Sequence, residues 1–94
     1  MRSVAIKGIA AAVIESLDAA AAAGIESETW RVLVDEFTAM DESFVRRLVE
    51  GTPVHAERRF HEMEAARELL VELGVEPTLT SGTVSHLGRM RKNG

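Results

Sequence analysis

Ninety-four residues, 46% of them hydrophobic and 28% charged, give one domain over residues 1–94, and a domain of this size buries only about 60% of its unfolded surface. A net charge of -4 and a pI near 5.3 argue against a dedicated nucleic-acid surface, whose affinity comes mostly from neutralising phosphates. With no cysteine there is no disulfide framework, thiolate metal site or cysteine nucleophile, and the cytoplasm is the expected compartment.

The chain opens on an Ala-rich helix predicted from Arg2 to Ala23. Before Gly24 only Arg2, Ser3, Lys7, Glu15, Ser16 and Asp18 are polar, and Ser3, Lys7, Glu15 and Asp18 fall on one narrow strip. The opposite flank joins Ile6, Ile9, Val13, Leu17 and Ala20 or Ala21 at steps of three and four. So apolar a circumference marks a buried axle, with Val13 and Leu17 fully covered and part of the covering supplied by another molecule. A homodimer with this helix near the interface is therefore expected. Arg2 and Lys7 ahead of the apolar run imitate a secretory signal, but Glu15 and Asp18 stand where such a segment stays apolar, and no stretch is long enough to span a membrane.

Gly24 stops the first helix, and Ser27 is placed to cap a second from Glu28 to about Ala39, with Trp30, Leu33, Val34 and Phe37 inward. Asp41 caps a third through Glu50, with Phe44, Val45 and Leu48 inward, and Gly51 ends it. Thr52 and Pro53 form an N-cap and first-turn pair for a fourth helix running to Leu73 and closed by Gly74. Its apolar stripe is Ala56, Phe60, Met63, Ala66, Leu70 and Leu73; its charges form a solvated face with pairs such as Arg58 and Glu62. Pro77 forces a break, and a fifth helix starts at about Thr80 or Ser81 and reaches Met90. The expected fold is all-α, a bundle of about five helices around a long apolar first helix.

Two motifs fail on inspection. His61-Glu62-Met63-Glu64-Ala65 begins like the zinc-protease pattern, but that chemistry needs a second imidazole one turn later and Ala65 stands there. The segment Thr80 to Lys92 has the look of a DNA-recognition helix, with Thr83, Ser85 and His86 ahead of Arg89, Arg91 and Lys92. However, Leu70 occupies the position where a helix-turn-helix needs a small residue, and Pro77 lengthens the turn.

Met1, Arg2, Ser3, Lys7, Gly8, Glu15 and Gly24, followed by Arg58, Arg59, Glu62, Met63 and the run Glu72 to Pro77, make a pattern that resembles a known family. It is similar to the C-terminal helical domain of NAD(P)-dependent β-hydroxyacid dehydrogenases, the 6-phosphogluconate and 3-hydroxyisobutyrate dehydrogenase group, and most of all to a divergent phosphogluconate dehydrogenase subgroup. The resemblance implies a 6-phosphogluconate dehydrogenase C-terminal-like bundle that closes a substrate cleft and mediates dimerisation. A Rossmann domain with a Gly-x-Gly-x-x-Gly turn would precede it and bind NAD or NADP. Alignment on Glu15 and Gly24 puts the family's catalytic lysine just before Met1 and its Asn pair on Arg2 and Ser3. These two residues and Lys7 are then the substrate-binding candidates for a small β-hydroxyacid. A Lys-Asp pair facing the nicotinamide falls on His61 and Glu62, the cofactor-binding candidates. No catalytic residue and no metal ligand lies in the chain on this reading, and the chain by itself is expected to be inactive and to bind no cofactor. A stand-alone helical oligomerisation or protein-interaction module is the rival reading.

Overall fold

The computed structural model describes residues 1–91, and these form five helices with no strand among them: α1 Arg2–Ala22, α2 Glu26–Thr38, α3 Glu42–Val54, α4 Ala56–Glu72 and α5 Thr78–Met90. The all-α fold expected from the sequence is the fold observed. Lys92, the last basic residue of the C-terminal segment, lies outside the described residues.

Two of the helix ends follow directly from glycine. At the end of α1, Ile25 N–H donates to the Ala20 carbonyl at 2.8 Å and Gly24 N–H to that of Ala21 at 3.1 Å. At the end of α4, Val75 N–H donates to Leu70 at 2.9 Å and Gly74 N–H to Val71 at 3.0 Å. These are paired Schellman closures, and both need a left-handed residue, which Gly24 and Gly74 supply at φ 79° and 78°.

Other boundaries differ from the sequence reading. Ser27 does not cap α2: Ile25, already fixed by the closure of α1, is the residue from whose carbonyl the first turn of α2 hangs, with Thr29 N–H donating at 3.0 Å. Asp41 does cap α3, accepting from Phe44 N–H at 2.9 Å. Gly51 does not end α3, which runs on through Pro53 to Val54; His55 alone separates it from α4. The proline is tolerated because it sits in the last turn, where the carbonyl left without its donor, that of Val49, belongs to an exposed residue. Thr52, released from capping, accepts a hydrogen bond from Arg59 at 3.2 Å. The fifth helix starts at Thr78, ahead of the expected Thr80 or Ser81, with Pro77 at its cap position.

The core is small and lies where α4, α5 and the second half of α1 meet. Ala20, Ala56, Leu70, Val84 and Leu87 are buried. Helices α4 and α5 pack closely because α5 presents Gly88 to Phe60: a Cβ at position 88 would meet the ring at 3.2 Å. Across that ring lies Arg91, its guanidinium 3.8 Å from the centroid, a cation–π contact that ties the end of α5 back onto α4. Val13 and Leu17 are half-buried, not fully covered as the apolar pattern of α1 implied. The reason is geometric: α5 takes the Glu15 flank of α1, α2 covers the Val13 flank only in part, and the first ten residues remain exposed.

The apolar faces of α2 and α3 also remain open. Trp30, Val34, Phe37, Val45 and Leu48, all expected inward, are exposed, while Leu33 and Phe44 are half-buried. The accessible surface is 6962 Å², where a monomer of 10.2 kDa ordinarily presents about 5,300 Å². The radius of gyration, 14.0 Å, likewise exceeds the roughly 12.4 Å expected at this length.

Candidate functional site

The sequence candidates occupy two separate places. Arg2, Ser3 and Lys7 stand on the first two turns of α1, all exposed. Ser3 and Lys7 are one turn apart, within about 40° of each other around the helix, whereas Arg2 stands about 100° from Ser3. Met1 provides no side-chain cap, and within this first turn Val4 N–H donates to the Met1 carbonyl at 3.1 Å. Two cations and a hydroxyl at the N-terminal end of a helix can together receive a carboxylate or phosphate. Among the described residues, these three side chains make no hydrogen bond or ion pair.

His61 and Glu62 lie on the exposed face of α4. His61 is held between two carboxylates of its own helix, Nε2 at 2.8 Å from Glu57 and Nδ1 at 3.2 Å from Glu64. Glu62 pairs with Arg58 at 3.3 Å, and Glu57 also receives Arg91 at 3.4 Å. The pair thus has three partners at i,i+3 and i,i+4 on α4 itself, Glu57, Arg58 and Glu64. No hydrogen bond joins this group to Arg2, Ser3 or Lys7, so the chain does not by itself close a cleft between the two sets. No group of three or more His, Asp or Glu residues suited to a metal occurs among the described residues.

The most constrained polar residue is one the sequence reading assigned to the solvated strip. Glu15 is 9% exposed, in the middle of α1, and its carboxylate is aimed at the start of α5. Leu79 N–H donates to Oε1 at 2.9 Å; Thr80 N–H and the Thr80 hydroxyl both donate to Oε2 at 2.7 Å. Leu79 and Thr80 are the second and third residues of α5, the positions whose amides a capping side chain ordinarily satisfies. Since Pro77 at the cap position has no side-chain acceptor, a carboxylate from another helix provides the cap, placed at the positive end of the α5 dipole. Burial acts to raise the pKa of Glu15, but the Thr80 hydroxyl and the amides of Leu79, Thr80 and Thr78 outweigh it and hold the carboxyl below its ordinary range. One cue was present in the sequence: a lone acid on an apolar helix, and a proline-led helix start without a capping side chain of its own.

A second feature is an apolar groove along α2. Val13 of α1 lines it, with Trp30, Leu33, Val34 and Phe37. Ile9 and Ile6, one and two turns before Val13 on the same face of α1, extend this surface toward the start of the helix, and both are exposed. The charged residues of the two helices differ in sign. The first half of α1 carries Arg2 and Lys7, whereas α2 carries Glu26, Glu28, Asp35 and Glu36 against Arg31 alone.

Residues 20–90 match the family described as Domain of unknown function (DUF1932), and the chain belongs to that family. The matched span takes in α2 to α5 and leaves most of α1, Glu15 included, ahead of it. No curated protein and no solved structure is significantly similar to the chain. None of the described helices is long and apolar enough to cross a membrane.

Proposed function

We propose that this chain is the C-terminal helical domain of an NAD(P)-dependent β-hydroxyacid dehydrogenase of the phosphogluconate-like kind, closing the substrate cleft and joining two subunits. The observation that carries the reading is family membership over residues 20–90, a domain known as the C-terminal helical part of NAD-dependent 3-hydroxyisobutyrate dehydrogenase-like proteins. The motif order from Arg2 to Glu15, ahead of the matched span, supports it. So do the exposed first two turns of α1, where Arg2, Lys7 and Ser3 offer two cations and a hydroxyl to an anionic substrate.

The fit to a dinucleotide is partial. His61 and Glu62 offer a ring nitrogen and a carboxylate at one edge of α4, enough to contact the nicotinamide end, but these residues contain no glycine turn to cradle a pyrophosphate. Held by a preceding nucleotide-binding domain, the cofactor would supply hydride-transfer chemistry. This chain's residues then orient the substrate anion and cover the cleft. The open apolar faces of α1, α2 and α3 also favour a second reading, a helical interaction module without catalysis.

The two readings separate on titration of NAD and NADP against this chain and against a longer one carrying the sequence encoded upstream. Only the longer chain is expected to bind cofactor at micromolar concentration and oxidise a β-hydroxyacid, with Arg2→Ala raising KM and His61→Ala weakening cofactor binding. Cofactor binding by the short chain, or a longer chain indifferent to both substitutions, overturns the assignment of these residues.

A further inference from the structure

Helix α5 packs on both α4 and α1, and a crevice remains between those two helices with the start of α5 as its floor. Its volume is about 270 Å³, just under the roughly 300 Å³ at which ligand pockets ordinarily begin. Arg2, Ser3, Lys7, His61 and Glu62 lie outside its lining.

Three observations define the chemistry that fits there. The first is charge. The buried Glu15 carboxylate belongs to the floor, and among the described residues no Lys, Arg or His pairs with it. Its hydrogen bonds keep it ionised at neutral pH, and the α5 dipole, worth roughly half an elementary charge, offsets only part of it. The second is the direction of the hydrogen bonds. Thr80 Oγ1 donates to Glu15 Oε2 at 2.7 Å and Thr83 Oγ1 to the Leu79 carbonyl at 2.9 Å, so both hydroxyls have spent their hydrogens. Like the carboxylate, they offer the crevice lone pairs only, and Ser16 on the wall can accept as well as donate. The third is the wall itself, which is otherwise hydrocarbon from Ala12 and Ala19 on α1 and from Met63, Ala66 and Leu70 on α4. A ligand for this site brings N–H donors, a positive charge and a short apolar body. An anion is repelled, and a neutral alcohol leaves the charge of Glu15 unmatched.

We infer that the crevice binds a small primary alkylammonium ion, its ammonium group against Glu15, Thr80 and Thr83 and its chain between Ala12 and Ala66. The inference goes beyond the reading above and does not rest on it, since it uses neither the cofactor nor the start of α1.

Titration of n-butylammonium chloride into the isotope-labelled chain, followed by amide NMR shifts, tests it. Saturating shifts are expected at Ser16, Leu79, Thr80 and Thr83, with a dissociation constant on the order of 1 mM for so small a ligand. Sodium butyrate, n-butanol and sodium chloride at equal concentrations should give no saturable shift at these amides. Glu15→Gln should weaken butylammonium binding about tenfold, the loss of one charge-assisted hydrogen bond. Because that substitution also alters the cap of α5, Ala66→Leu is measured beside it. The leucine fills the crevice from α4, leaves Glu15 and its bonds to Leu79 and Thr80 in place, and should weaken binding by a similar factor. Absence of a saturable shift with butylammonium overturns the inference, as do equal shifts with n-butanol. Binding unchanged in either variant overturns it too, because the cation is then held elsewhere on a chain of net charge -4.

Discussion

Helices α3 and α5 are both 13 residues long and both carry an apolar stripe on one face, yet one is embedded and the other lies open. In α5, Val84 and Leu87 are buried against α4 and α1; in α3, Val45 and Leu48 are about half exposed and the stripe faces solvent. What separates them is their neighbours. Gly88 lets α5 approach the Phe60 ring closely, Arg91 closes over that ring from the end of the helix, and Glu15 grips its start. Helix α3 is fixed chiefly at its ends, by its own Asp41 cap and by the single-residue hinge at His55. An amphipathic pattern thus creates a face that can be buried. Whether it is buried depends on partners that the pattern does not encode.

The largest test of this contrast is truncation within the embedded helix. Leu87→Ala is expected to cost about 2 to 5 kcal/mol in urea unfolding, because the cavity left at the α4–α5 contact cannot collapse around a closely packed ring. A loss below about 1 kcal/mol would mean that α5 is held no more firmly than α3.

Glu15 comes next. Glu15→Ala leaves the amides of Leu79 and Thr80 without their acceptor and is expected to cost about 2 kcal/mol, the upper part of the range for capping residues. Its pH dependence has a definite sign. The folded-state pKa is below the unfolded one, so the carboxylate's contribution is fully present above the ordinary carboxylate range and disappears as pH falls through the lower folded value. Stability of the wild-type chain should therefore drop more steeply than that of Glu15→Gln as pH is lowered from about 5 toward 3. Parallel acid-unfolding curves for the two proteins would show that the cap contributes nothing.

A smaller effect is expected at Gly88. In an isolated helix Gly→Ala stabilises by roughly 0.5 to 1 kcal/mol. Here the new methyl meets a ring at 3.2 Å, with Arg91 stacked on that ring, and overpacking of about 1 to 3 kcal/mol should prevail. Gly88→Ala is thus expected to lower the melting temperature; a rise would show that the Phe60 ring yields freely. The smallest effect belongs to the open helix. Leu48→Ala on α3 should change stability by less than about 0.5 kcal/mol under dilute conditions, measured beside Leu87→Ala in the same assay. If the two truncations cost the same, the contrast between the helices fails.

The sequence by itself determined that the chain is all-helical, and it placed the closures that rest on local chemistry. Gly24 and Gly74 can adopt the left-handed conformation that a Schellman closure needs, and Asp41 caps its own helix across three residues; such features act within a few residues and are legible as such. It determined less where a local signal had a competitor. Thr52 and Pro53 read as a helix start because both types favour one, but a proline is also tolerated in a helix's last turn, and Thr52 serves Arg59 instead. Only the tertiary structure decided the role of Glu15. Its partners, Leu79 and Thr80, are 64 and 65 residues away, and helical periodicity alone places the carboxylate with Ser3, Lys7 and Asp18 on a solvated strip. It also decided that Val13 and Leu17 are half-covered, since the burial of a residue on an apolar helix depends on how many neighbours reach it. The placement of Arg2, Ser3 and Lys7 apart from His61 and Glu62 has the same origin: helix periodicity fixes the spacing of residues within α1 and within α4, while the separation between them is set by the helix that each packs against, α5.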